Sequence, residues 1–245
     1  AQVQRSKWDE YVVQNVKVGN RPNSYAQAIG VINAICDPRD RIVAAAGGLP
    51  AEIAANWRTL DIGTVDVEFG FSCMGYEIAG GLGVKMAMPN REVIVLVGDG
   101  SYLMLNSELA TSVMLGHKII VVVLDNRGFS CINRLQNATG NRSFNNLLKD
   151  CESIDDGHPN VNFALHAQSL GANSEHIENI NELASALERA RLSSKSYLIS
   201  LVTDSHKISP EGGCWWEVAV PEVSSNKNGD EVYNSYKKGK KQQPY

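Results

Sequence analysis

The chain has 245 residues, 43% of them apolar and 20% charged, and 23 Lys and Arg against 27 Asp and Glu give a net charge of −4. That length and composition fit an ordinary soluble globular protein with a substantial core, and the small net charge gives no sign of a nucleic-acid-binding surface. No apolar run approaches the roughly 20 residues a membrane helix needs. Five cysteines without CxxC spacing point to reduced thiols and a cytoplasmic setting rather than a disulfide framework.

Residues 1–20 are polar with scattered Val and Trp and read as a linker or N-terminal extension. After Pro22, Ser24 caps a helix with the apolar stripe Ala28, Ile29, Ile32 and Ile35, which Asp37-Pro38 ends. "RIVAAAGG" (residues 41–48) is a short buried strand emptying into a glycine turn. "GTVDVEFGF" (63–71) is a second strand with alternating Val65, Val67 and Phe69. "MGYEIAGGLGVKMAM" (74–88) has helical spacing and stops at Pro89; Gly80, Gly81 and Gly83 suit close packing.

"EVIVLV" and "KIIVVVL" are continuous β-branched runs, as expected of strands buried on both faces of a parallel sheet. "NSELATSVMLG" between them is a helix with Asn106 as N-cap and Gly116 as its stop. Past Gly128 the chain reads as irregular until helices at 162–172 and 181–192 and a buried strand at 197–203. Strands alternating with helices predict an α/β fold, an open, mostly parallel sheet with helices on both faces. The predicted domain is 21–205, followed at 206–245 by a C-terminal extension and polar tail that holds the basic cluster Lys237, Lys238, Lys240 and Lys241.

Two of these strands end on small polar residues, Asp99 in Gly98-Asp99-Gly100 and Asn126, separated by residues 101–125. A right-handed crossover puts both on one rim, where open parallel sheets bind ligands. A dinucleotide fingerprint would need glycine at position 103, where this chain has Leu103, although Asp125 imitates the ribose-binding acid. No P-loop pattern occurs. A plain strand-to-helix turn explains GDG alone but not Asn126 and Gly128 as well. The remaining reading is a metal-bridged diphosphate site. Asp99, Asn126 and the Gly128 carbonyl would serve as Mg²⁺ ligands, and the Gly100 and Ser101 N–H groups as phosphate donors.

At these residues the chain resembles the thiamine-diphosphate-dependent enzyme superfamily, whose cofactor motif is GDG followed by Asn about 25 residues on. "FGFSCMGYEIAGGLGVKMAMPNREVIVLVGDG" is similar to the corresponding stretch of the acetolactate synthase and decarboxylase branch. The resemblance implies that Met74 props the cofactor in its bent pose and that the Ser72 carbonyl receives its 4′-amino group. Ser72 stands where the family often has Gly. It implies a second diphosphate turn at Gly47 and Gly48, with Gly98, Gly100 and Ser101 around the other. "VLDNRGFSCINRLQ", "GNRSF" and "WWEVAVPEVS" narrow the likeness to hydrolases that open a cyclic 1,2-diketone in inositol catabolism.

The resemblance further implies a pyrimidine-binding domain outside these residues, carrying the glutamate that activates the cofactor, and a homo-oligomer acting on a small-molecule substrate; the charge and the apolar runs point to no nucleic acid or membrane partner. A non-catalytic cofactor- or partner-binding subunit, or another acetolactate synthase- or decarboxylase-like enzyme, is the alternative. His158, His206, Trp215 and Trp216 are left without an assigned role, and Cys73 and Cys131 read as inert packing.

Overall fold

The computed structural model describes residues 2–19, 23–151, 160–209, 220–226 and 228–242; Pro22, His158, Cys214, Trp215 and Trp216 lie outside them. In chain order the elements are α1 (Gln2–Val16), α2 (Tyr25–Ile35), β1 (Arg41–Ala44), α3 (Leu49–Asn56), β2 (Val65–Val67) and α4 (Tyr76–Ala87). They continue with β3 (Val93–Gly98), α5 (Asp99–Met104), α6 (Ser107–Leu115), β4 (Ile120–Asp125), α7 (Ser130–Ala138) and α8 (Phe163–Ser169). Last come β5 (Asn173–Ile177), α9 (Leu183–Leu192), β6 (Tyr197–Val202) and α10 (Gly229–Lys241). Two compact units result: Ala1–Arg127 with Asn160–Ser209, and Gly128–Pro159 with Pro210–Tyr245.

The first unit is built on a six-stranded sheet of order β2-β1-β3-β4-β6-β5, parallel throughout. β3 and β4 lie at its centre, paired from Ile94↔Ile120 to Gly98↔Leu124. Alternation divides their side chains between two cores. Ile94, Leu96, Ile120, Val122 and Leu124 pack with α2, α3 and α9; Val93, Val95, Val97, Val121 and Val123 pack with Ile78 of α4, Tyr102, Leu109 and Phe163. Each such side chain removed from water contributes about 2 kcal/mol, which is why both strands read as unbroken apolar runs.

Local chemistry fixes the helices as the sequence predicts, with instructive exceptions. Ser24 caps α2 through a reciprocal box with Gln27. Gly116 ends α6 in the left-handed conformation, φ 70°, whereas Asn106 precedes α6 without a side-chain cap. β2 is only three residues long, and Phe69, expected to continue its alternation, is exposed. Of the three α4 glycines, Gly81 is the one pressed against the sheet, where a Cβ would collide with Val95; around Gly83 there is open space.

Residues 2–16, which lack a regular apolar stripe, are helical. α1 is held by polar contacts to α3 and its C-terminal flank: Trp8 Nε1 donates to the Ala55 carbonyl (3.0 Å), Asn15 Nδ2 to Asn56 Oδ1 (3.3 Å), and Arg58 pairs with Asp9.

Both outer strands carry a paired carboxylate: Asp66 of β2 meets Arg41 at 2.6 Å, and Glu175 of β5 meets Arg189 at 2.6 Å and Tyr197 Oη at 2.8 Å. At the start of β1, buried Asp40 pairs with Arg191 next to Cys36. In the second unit, α10 has Asp230 and Glu231 in its first turn and Lys238, Lys240 and Lys241 in its last, complementing the helix dipole. The basic cluster of the predicted polar tail is therefore helical.

Candidate functional site

The strand order reverses between β1 and β3, because the chain leaves β1 for the outer β2 and returns past it to β3. α3, after β1, packs on one face of the sheet, while Tyr102 and Leu109, after β3, pack on the other. The carboxyl ends of β1 and β3 thus flank a switch-point crevice, the usual ligand position in open α/β sheets. Gly47 and Gly48 follow β1 here, and Gly98 ends β3 with Asp99, Gly100 and Ser101 beginning α5 directly, without an intervening turn. Gly47 has φ 80°, a conformation glycine adopts without steric cost.

Asp99 and Asn126 are both buried and adjacent, for the Asn126 N–H donates to Asp99 Oδ1 at 3.2 Å. The Asn126 side chain donates through Nδ2 to Tyr25 Oη at 2.5 Å, which turns its amide oxygen the other way. Tyr25 in turn reaches the Leu124 carbonyl at 3.4 Å. Its ring also backs both glycine turns: a Cβ at Gly48 would stand 3.6 Å from Tyr25 Cε2, and one at Gly98 3.5 Å from its hydroxyl. Sequence reasoning missed Tyr25; the signal was a tyrosine directly after a helix cap, ahead of an otherwise small and aliphatic stripe.

Asp125 is engaged differently. Its carboxylate accepts the Arg127 N–H at 2.9 Å and pairs with the Arg127 guanidinium at 3.2 Å. These contacts occupy the group that a dinucleotide ribose would require. Gly128 opens the second unit. With φ 139° and the Asn146 carbonyl where a Cβ would stand, only glycine fits there.

The segment after β2 carries Ser72 and Met74. Glu68 folds it back by accepting the Cys73 N–H at 2.6 Å and the Phe71 N–H at 3.0 Å, and these bonds hold the Glu68 carboxyl below its usual range. Ser72 is exposed with φ 53°, a left-handed position that explains why glycine suits it. Met74 is half-buried, and Cys73 is exposed rather than packed. Gly75, with φ 93°, lies so near Leu105 that a Cβ would come within 2.9 Å of the leucine Cβ.

One further residue had no place in the sequence reading. Glu77, 1% exposed, accepts the Ser101 hydroxyl at 2.7 Å, the Gly75 N–H at 3.0 Å and the Ala46 N–H at 3.3 Å. The Gly75 N–H is shared with Ser101 Oγ at 2.8 Å. The signal was the single charge between Gly70 and Val84, in a run of small and apolar residues.

His206 is exposed beyond the end of β6, its N–H on Asp204 Oδ1 at 2.7 Å. Among the described residues no three His, Cys, Asp or Glu side chains converge as a metal site by themselves. The rim offers one carboxylate and one neutral amide, a donor set that suits Mg²⁺ shared with a phosphate ligand.

Residues 45–201 match the family model for the thiamine pyrophosphate enzyme, C-terminal TPP binding domain. The chain is 37% identical over 232 residues to the 3D-(3,5/4)-trihydroxycyclohexane-1,2-dione hydrolase of Bacillus cereus (strain AH820), covering 93% of this chain and 36% of that protein. It is 39% identical over 211 residues to the protein of the same name from Bacillus licheniformis, covering 86% and 33% respectively. The chain therefore spans about a third of the length of these relatives.

Among solved structures, the thiamine diphosphate-dependent 4-hydroxybenzoylformate decarboxylase of Rhodococcus jostii RHA1 superposes with a TM-score of 0.64 at 17% identity, over 76% of this chain and 34% of that one. That likeness concerns the fold. Among the described residues no helix is long and apolar enough to cross a membrane. With the switch-point rim, the family match over most of the sheet and the identity to these relatives, the chain belongs to the C-terminal thiamine pyrophosphate-binding domain family of thiamine pyrophosphate enzymes.

Proposed function

We propose that this chain is the diphosphate-binding part of a cytoplasmic, thiamine-diphosphate-dependent hydrolase. The enzyme would open the ring of 3D-(3,5/4)-trihydroxycyclohexane-1,2-dione by C–C cleavage to give 5-deoxyglucuronate in inositol catabolism. The observation that carries the reading is the pairing of Asp99 with Asn126 at the switch-point rim (3.2 Å). In this reading Asp99, Asn126 and the Gly128 carbonyl bind Mg²⁺. Gly47, Gly48, Gly98, Gly100 and Ser101 surround the diphosphate, with backbone N–H groups as donors. Met74 supports the bent cofactor, and the Ser72 carbonyl accepts its 4′-amino group.

Thiamine diphosphate, when bound, supplies the electron sink for carbon–carbon cleavage. This chain's residues anchor and orient it. A pyrimidine-binding domain with the activating glutamate completes the site, so the chain alone is expected to bind but not to turn over. Exposed Phe69, Phe71, Leu103 and Met104 support assembly into a homo-oligomer.

Calorimetric titration of thiamine diphosphate with and without Mg²⁺ tests the reading. Mg²⁺-dependent binding that Asp99→Ala abolishes supports it. Binding indifferent to both Mg²⁺ and Asp99 overturns the metal assignment. Absence of binding, even after a pyrimidine-binding domain is supplied, overturns the function.

A further inference from the structure

Glu77 sits in the first turn of α4, almost wholly removed from solvent, and its partners are hydrogen-bond donors rather than a cation. Those donors come from three separate places in the chain. Ala46 belongs to the turn after β1 that continues into Gly47 and Gly48. Gly75 follows Met74 and enters α4. Ser101 stands in the first turn of α5, two residues beyond Asp99. Burying a carboxylate is costly unless hydrogen bonds compensate it, and charge-assisted bonds of this kind are roughly twice as strong as neutral ones. The N-terminal end of α4 favours the negative charge as well.

We infer that Glu77 is a positioning residue that ties the three cofactor-facing turns into one cradle. The cofactor half of this inference rests on the reading proposed above. The two carboxylate oxygens have distinct duties: Oε1 takes the Ala46 N–H and Oε2 the Gly75 N–H, while the Ser101 hydroxyl bridges to both, at 2.7 and 2.8 Å. An acceptor-only group with two oxygens meets all of these donors. A glutamine of the same shape presents an NH₂ to one of the two backbone N–H groups, placing donor against donor.

The arrangement also decides what Ser101 can offer a ligand. Its hydroxyl proton goes to Glu77 and its lone pair to the Gly75 N–H, so it faces a diphosphate with its backbone N–H instead. The side chain supports the loop that carries Met74. A displaced Glu77 would shift the glycine turn of β1, the Met74 loop and the start of α5 together, which links the positions of the diphosphate and of the thiazolium support.

Two readouts on Glu77→Gln test this. Amide hydrogen exchange without cofactor should rise about tenfold or more at Ala46 if its N–H loses its acceptor, or by less at Gly75, whose N–H keeps Ser101 Oγ, while β3 and β4 amides such as Val95 and Val121 keep their protection. Titration of thiamine diphosphate with Mg²⁺ should show affinity about 10-fold to 100-fold weaker, the range expected for groups that orient a site from behind.

A purely structural role would instead speed exchange throughout the sheet and leave the affinity of the folded fraction unchanged, which would overturn the inference. So would unchanged exchange at both Ala46 and Gly75. If wild type binds no thiamine diphosphate, the function proposed above fails together with the cofactor half, and the exchange data still decide whether Glu77 joins the turns. Should Glu77→Gln not fold, Ser101→Ala removes one arm. Faster exchange at Gly75, whose N–H then keeps only Glu77 Oε2, or weaker cofactor binding supports the cradle, and unchanged exchange together with unchanged affinity overturns it.

Discussion

Asn126 gives its backbone N–H to the carboxylate of Asp99 at 3.2 Å, tying the ends of β3 and β4 together at the two residues proposed as metal ligands. One oxygen of the acid therefore has a structural duty, and charge and shape at position 99 can be separated by mutation.

Asp99→Asn keeps an oxygen for the Asn126 N–H but drops the charge. Mg²⁺-dependent binding of thiamine diphosphate should weaken at least about tenfold with little change in stability. Asp99→Ala should abolish that binding and also cost about 1 kcal/mol from the lost hydrogen bond. Calorimetry paired with urea unfolding checks both; equal binding by the two variants and wild type contradicts the assignment.

Ser72 holds φ 53°, a conformation that costs an L-residue about 1 kcal/mol and glycine almost nothing. Ser72→Gly is accordingly expected to stabilise the first unit by somewhat less than about 1 kcal/mol, because glycine also gains freedom in the unfolded chain. Gly75→Ala should do the opposite, since strain at φ 93° adds to the approach of Leu105. Denaturant midpoints at constant m-value measure the two shifts.

Glu68 has its carboxyl pKa lowered by the N–H groups of Cys73 and Phe71. Its folded pKa thus lies below the unfolded value near about 4.3. The stabilisation it gives is fully present above that unfolded value and is lost as pH falls through the folded pKa. Below about pH 4, amide exchange at Phe71 and Cys73, corrected for its intrinsic pH dependence, should accelerate relative to β3. In Glu68→Gln that acid-dependent change should vanish; if it persists, another group holds the loop.

Cys36 is pushed up to about 12, first by burial and then by the negative charge of Asp40. At pH 8 only about one such thiol in ten thousand is ionised. An alkylating reagent is expected to label exposed Cys73 long before Cys36. Peptide mapping gives the order. Early labelling of Cys36 would mean that the Asp40–Arg191 end of the sheet opens locally.

The central architecture was legible because burial on both faces leaves an unmistakable pattern. β3 and β4 are continuous β-branched runs, and the polar residues that follow them point to the rim. β5 was missed for the opposite reason. It is an outer strand whose Asn173, Ser174, Glu175 and His176 remain partly or wholly open to water, so no apolar periodicity marks it. α1 was unreadable because it buries little more than Val12 and is otherwise placed by Val16 against Gly30 of α2 and by Trp8, Asp9 and Asn15 against α3 and its flank, contacts that exist only once those helices are in place.

The rim was legible in part. Asp99 and Asn126 announced themselves at strand ends, whereas Tyr25 and Glu77 act from helices on opposite faces of the sheet. Only the folded chain brings Tyr25 to Asn126 and Glu77 to Ser101.

The ion pairs at the two outer strands bear on whether a further strand could add to the sheet. A bare strand edge invites another strand, whereas charged side chains make that addition unfavourable. Asp66 with Arg41 guards one border and Glu175 with Arg189 the other. Continuous sheet extension, the route to fibrils, is thereby discouraged at both ends. Any association of copies would then fall to side-chain surfaces, and Phe69 and Phe71 are exposed on one of them.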